Sequence, residues 1–298
     1  MRIGYPCVNR GIGCTSARTF RLKSWSEERF YATMRENLEC LSRTLEFNRT
    51  HGLLFFRITS DLVPFASHPV NTLDWESAFA EDFSGIGRML RENGMRISMH
   101  PDQFTLINSP DEGVLMRSIA ELEYHSTVLD AMGLDSTAKV QIHVGGRYGD
   151  AESALGRFVD RYRDLPAPVR RRLVVENDDR LFTVTDCLLL HRECGTPVLF
   201  DAFHHECNPD GSDTADALGR CAATWGKSDG ILMTDYSSQE NGARKGTHAQ
   251  SIDISLFSAF LTESRPHDID IMLEIKDKEQ SARRALEAAR GDTRLVQG

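Results

Sequence analysis

Apolar runs of roughly eighteen residues are missing from this sequence, so nothing in it reads as a membrane-spanning helix. Cys-x-x-Cys pairs are missing too: the seven cysteines stand apart at 7, 14, 40, 187, 194, 207 and 221. That excludes a zinc ribbon and a thioredoxin-type motif, and the scatter reads as free thiols in a reducing compartment. The segment Asn9-Arg10-Gly11-Ile12-Gly13-Cys14 lacks the third glycine of a dinucleotide-binding turn. Low-complexity stretches and obvious linkers are absent, so residues 1–298 are expected to form one domain. The opening Met-Arg-Ile-Gly-Tyr-Pro-Cys-Val-Asn-Arg has neither the apolar stretch nor the cleavage site of a secretory signal, and the expectation is a cytoplasmic protein. Positive charge is also short: 35 Lys and Arg face 44 Asp and Glu, a net −9. This opposes indiscriminate attraction to polyanions, although a local patch can outweigh the sum.

What the sequence has is 40 % hydrophobic residues, enough for a large core. Short β-branched or apolar runs recur at 3–9, 53–60, 95–100, 139–145, 173–178, 198–204, 231–237 and 269–276. Helical periodicity fills the gaps at 26–47, 75–92, 114–132, 151–162, 183–193, 215–225, 252–261 and 279–289. Strand followed by helix, eight times over, is the pattern of an α/β protein built as a single (β/α)8 TIM barrel. Parallel strands covered on both faces explain why the runs are apolar throughout.

In such a barrel the active site lies at the C-terminal ends of the strands. Six consecutive apolar runs end in ionisable groups: His100, His143, Glu176, Asp201 with His204, Asp235 and Glu274. Burying such groups is costly unless they are paired or bind a cation. Their convergence from successive strands predicts a divalent metal site, with hard or borderline ions favoured by imidazoles and carboxylates without thiolates. The carboxylates outnumber the needs of one ion, so two or three are expected. His248, after a basic loop, is a further candidate ligand, whereas His51, His68, His125, His191 and His267 read as structural. Arg10, Arg18, Arg21 and Lys23 crowd the first βα loop without an Asp or Glu between them. With Arg57 from the second strand, they are expected to hold phosphates. Gln103 and Phe104 place an amide and a flat ring on the same rim, suited to wedging into a base stack.

These residues together resemble the UV damage endonuclease family, which is related to endonuclease IV within the xylose-isomerase-like TIM barrels. The shared marks run in order: Gly4–Pro6 with Asn9, Arg57–Pro64, Ala66–Pro69, His100–Phe104, Ile142–Gly146, Val175–Asp179, Phe200–His205, Tyr236–Ser238 and Leu273–Lys276. The resemblance implies metal-dependent hydrolysis of DNA immediately 5′ of cyclobutane pyrimidine dimers and 6-4 photoproducts, with abasic sites as further substrates. It implies a manganese-type cluster, with Zn2+ or Mg2+ as alternatives, and Glu176, Asp201 and Glu274 as its catalytic carboxylates. His100 and His143 would hold one ion, Glu176 would bridge to a second completed by Asp201 and Glu274, and His204 and His248 would serve a third. Tyr5 and Asn9 match positions lining damaged nucleotides, and Gln103 and Phe104 match the pair pushed into the duplex. The implied partner is damaged double-stranded DNA, with no membrane, no obligate protein partner and a monomeric state. One departure stands out. Many relatives carry Lys-x-His where this chain has Met233-Thr234-Asp235. An apurinic-site endonuclease and a sugar isomerase or epimerase on the same barrel remain the alternatives.

Overall fold

The computed structural model describes residues 1–296. Eight strands, β1 (Ile3–Pro6), β2 (Phe55–Ile58), β3 (Arg96–Met99), β4 (Lys139–His143), β5 (Leu173–Glu176), β6 (Val198–Asp201), β7 (Leu232–Tyr236) and β8 (Ile269–Leu273), run parallel, and β8 pairs with β1 to close the barrel. Each lies within an expected apolar run but stops short of its end, because the terminal polar residues already belong to loops. The outer helices are α1 (Glu27–Thr50), α2 (Ala80–Glu92), α3 (Glu112–Ala131), α4 (Ala151–Asp164), α5 (Val184–Cys194), α6 (Thr214–Ala222), α7 (Ile254–Glu263) and α8 (Glu279–Ala288). Ser26, Asp111, Asp150, Thr183, Asp213 and Asp253 cap six of them by accepting a backbone N–H, which explains where those helices begin.

Two expectations need correction. The helix expected over 75–92 breaks at Phe79 (φ −118°, ψ 23°), which is buried and leaves the short helix Trp75–Ala78 in front of α2. The strand expected to reach residue 204 ends at Asp201. Its carboxylate accepts the backbone N–H of His204 at 2.7 Å and starts a six-residue helix, Ala202–Cys207. His204 therefore stands on a helix rather than a strand.

Alternation along the strands stacks the interior into layers. At the N-terminal end Arg96 pairs with Asp270 at 2.9 Å and Lys139 with Asp229 at 2.6 Å. Above them Phe55, Val174, Leu199, Met233 and Met272 form a fully buried apolar plug. Two residues further along the chain come Arg57, Glu176, Asp201 and Asp235 on β2, β5, β6 and β7, and Glu274 just past the end of β8. The ionisable mouth thus rests on a dry floor. Where β1 meets β2, a Cβ on Gly4 would fall 1.7 Å from the Phe55 carbonyl oxygen, so only glycine lets these strands approach.

The free-thiol expectation fails for one pair: Cys14 and Cys40 form a disulfide that ties the first βα loop to α1 across a Cα separation of 5.9 Å. Cys7, Cys187, Cys194, Cys207 and Cys221 are free. Closing a loop of this sequence separation, 26, stabilises a fold by roughly 3 kcal/mol in the chain-entropy model. Alkylation of the denatured, unreduced protein is expected to label five cysteines by mass spectrometry, and the reduced native protein should melt at a lower temperature. Labelling of all seven before reduction would remove the tether.

Candidate metal centre

Glu176, at the end of β5 and 1 % exposed, is the hub of the barrel mouth. The Nε2 atoms of His100 and His143 both lie 2.9 Å from its Oε1, and Gln141 Nε2 donates to its Oε2 at 2.7 Å. His100, His143, His204 and His248 follow one another around the mouth, with ring centroids 5.5, 5.6 and 6.1 Å apart. His204 is oriented through Nδ1, 3.0 Å from the Asn177 carbonyl oxygen, and His248 through Nδ1, 2.7 Å from the Glu274 carbonyl oxygen. In both rings Nε2 is the nitrogen left without a protein partner among the described residues. Asn177 also accepts the Asp201 N–H at 3.0 Å and donates to its carbonyl at 2.9 Å, which clamps that backbone.

Electrostatics follow from this crowding. Burial alone would raise the Glu176 carboxyl, but His143 and His100 outweigh it and hold the group well below its usual range. Burial would lower His143, yet Glu176 lifts it to about 9; His204 reaches about 9 against burial through Asp201, Glu176 and Glu274. Burial pushes Glu274 up, and Arg57 drives it down to about 2.

Arg57 departs from its expected place. It was expected on a phosphate-holding rim, but it is 3 % exposed and lies inside the mouth. Its Nη2 donates to both Asp235 oxygens (2.7 and 2.6 Å) and to Gln141 Oε1 (2.8 Å), while Nη1 donates to Glu274. A buried guanidinium surrounded by two carboxylates is a charge neutraliser of the interior. Tyr5 and Asn9, expected to line a lesion pocket, are likewise buried, at 0 % and 3 %. The Tyr5 hydroxyl donates to Asn48 at 2.7 Å and accepts from Asn9 at 2.8 Å, and Asn9 Oδ1 accepts the N–H groups of Gly11 and Ile12. Both residues shape the first loop from beneath.

Phe104 is 70 % exposed, and Gln103 lines the mouth cavity of about 590 Å3 with Arg57, His100, His143, His248 and Glu274. Arg10, Arg18, Arg21 and Lys23 are exposed, although Arg18 pairs with Glu36 at 3.0 Å.

These donors fit divalent cations. Ligand atoms of His100, His143 and Glu176 lie within 4.8 Å of one another, as do those of Glu176, Asp201 and Asp235. Glu176 belongs to both groups, and His143 Nδ1 is a buried nitrogen without a partner.

The UV-endonuclease UvdE family model matches residues 1–291. The chain belongs to that family. It is 37 % identical over 284 residues to the UV DNA damage endonuclease of Clostridium perfringens, which covers 95 % of this chain and 69 % of the relative. The crystal structure of SacUVDE superposes with a TM-score of 0.94 at 42 % identity, covering 99 % of this chain and all of that one. Endonuclease IV from Thermus thermophilus shares the fold alone, with a TM-score of 0.55 at 18 % identity over 85 % of this chain and 93 % of that one. The family is endonucleolytic, so this UvdE-family chain is a nuclease whose substrate is DNA.

Sequence reasoning missed three contributors to this UvdE-family site. Gln141 bridges Glu176 and Asp235, donating to each at 2.7 Å; it stands two residues before His143, and strand alternation alone puts it on the same face. Asn177 and Lys278 were also passed over, the first because it follows the hub residue, the second because it lies beyond the last strand.

The raised imidazoles give a pH prediction. With folded pKa values of about 9 against 6.5, His143 and His204 are protonated at pH 7 in chelator-treated protein. Their stabilising contribution is complete below 6.5 and disappears as pH climbs through 9. Cation uptake needs deprotonated ligands, so titration calorimetry at pH 7 should detect proton release, with these two imidazoles among its sources. The imidazole share of the release should fall as pH rises through 9, and the absence of any release at pH 7 would contradict the assignment of these rings.

Proposed function

We propose that this chain nicks damaged duplex DNA immediately 5′ of cyclobutane pyrimidine dimers and 6-4 photoproducts, with abasic sites as further substrates, by cation-assisted hydrolysis of one phosphodiester. The observation that carries this reading is the shared carboxylate of Glu176, which joins an imidazole donor group to an acidic one. Mn2+ suits such a set, with Zn2+ or Mg2+ as alternatives. His100, His143 and Glu176 would hold one ion, and Glu176, Asp201 and Asp235, with Glu274 beside them, would hold a second; His204 and His248 offer further Nε2 donors at the same mouth. Two ions are favoured over three, because Met233, two residues before Asp235 on β7, lies in the apolar plug and offers no hard donor.

Cations held there would supply Lewis acidity and neutralise charge on the attacking and leaving oxygens. The chain's own residues supply the rest. Glu176, Asp201 and Glu274 fix the spacing of the charges, and Asn177 keeps the Asp201 backbone from shifting. Gln103 and Phe104 push into the duplex at the lesion, where a dimer is already poorly stacked and costs less to displace. Arg10, Arg18 and Arg21 hold phosphates and set register without reading sequence. The enzyme works as a cytoplasmic monomer without a protein partner.

A duplex with one defined dimer, incubated with Mn2+, Zn2+, Mg2+ or EDTA, tests the reading on a sequencing gel. A single nick directly 5′ of the dimer, leaving a 3′-hydroxyl and lost in EDTA, is the expected result. Incision that persists after complete metal removal, or cutting of abasic duplexes with dimers ignored, overturns it.

A further inference from the structure

Lys278 joins β8 to α8 with φ 57° and ψ −116°, the first central position of a type II′ turn, which glycine normally occupies. A lysine there is strained, and the neighbouring backbone holds it in place. Glu274 N–H donates to Tyr236, Lys276 N–H to Ala249, Asp277 N–H to Gln250 and Lys278 N–H to Ile275, all between 2.9 and 3.1 Å. Strain maintained in this way is typical of functional positions. The side chain lines the same cavity as His100, His143 and Glu274. Among the described residues its ammonium group has no ion pair and no hydrogen bond, and Glu274, the acidic group beside it, is already engaged by Arg57. A partly buried cation without an anionic partner, at the mouth of a carboxylate-rich site, is suited to an anion brought by the substrate.

We propose that Lys278 is a positioning residue that anchors a non-bridging phosphate oxygen of the DNA strand being cut. The lysine holds the phosphodiester over the donor groups, and it retains a glycine conformation because its side chain is needed there. This inference rests on the DNA-hydrolysis reading of the same mouth.

The test compares Lys278→Met, Lys278→Arg and Lys278→Gly. Incision of a dimer duplex should slow about 10- to 100-fold in Lys278→Met and Lys278→Gly, and Lys278→Arg should recover most of the rate. Lys278→Gly should melt at a higher temperature than the parent despite its lower activity, because the turn relaxes. Binding of the dimer duplex is measured in a Glu176→Gln background, where the strand stays intact. Adding Lys278→Met should lower the slope of log affinity against log salt by about 0.9, the signature of one lost phosphate contact. Unchanged incision in Lys278→Met, an unchanged salt slope, or a lower melting temperature in Lys278→Gly overturns the inference. Failure of Glu176→Gln to prefer dimer over undamaged duplex would instead count against the reading of the whole site.

Discussion

Glu176→Gln should reduce incision by on the order of 10³-fold or more, about 4 kcal/mol of transition-state stabilisation, while duplex binding survives. The substitution keeps shape and one carbonyl acceptor, so the fold should persist by near-ultraviolet circular dichroism. What it removes is the anion between His100 and His143, which also belongs to the acidic donor group. The same variant should bind less metal by elemental analysis, because both groups lose their common member. Wild-type incision in this variant would show that the shared carboxylate is not part of the chemistry.

The second large effect concerns stability. Arg57→Met should cost about 3–5 kcal/mol in chelator, because it leaves Glu274 without the cation that keeps it ionised and Asp235, whose carboxyl burial already pushes up, without its donor. For a chain of this size that is a drop of about 5–8 °C in melting temperature. Added Mn2+ should recover much of the loss, since a divalent ion can neutralise the same charges. Combining Arg57→Met with Asp235→Met should also recover stability, as buried pairs replaced by apolar groups often do. A single variant as stable as the parent in EDTA would show that the guanidinium does not neutralise this interior.

The barrel and its ionisable mouth were legible in the sequence because both follow from short-range rules. Parallel strands must be apolar on both faces, and ionisable groups that end such runs can only lie at the mouth. The failures share a different cause. Tyr5 is hidden by Asn48, 43 positions away, and Arg57 is drawn inward by partners 178 and 217 positions away. Read locally, a strand-end arginine looks like a phosphate contact; only the closed barrel shows how much negative charge surrounds it. The Cys14–Cys40 bond escaped for the same reason, since it joins a loop to a helix that meet only once the chain has folded.

The five-residue apolar floor of Phe55, Val174, Leu199, Met233 and Met272 separates the ionisable mouth from the ion pairs at the opposite end of the barrel. The mouth groups therefore open to solvent from the C-terminal side of the barrel, and a duplex bound there as proposed would cover that opening. Breaking the buried Arg96–Asp270 or Lys139–Asp229 pair at the opposite end should therefore lower the melting temperature while cation affinity at the mouth stays near its parental value.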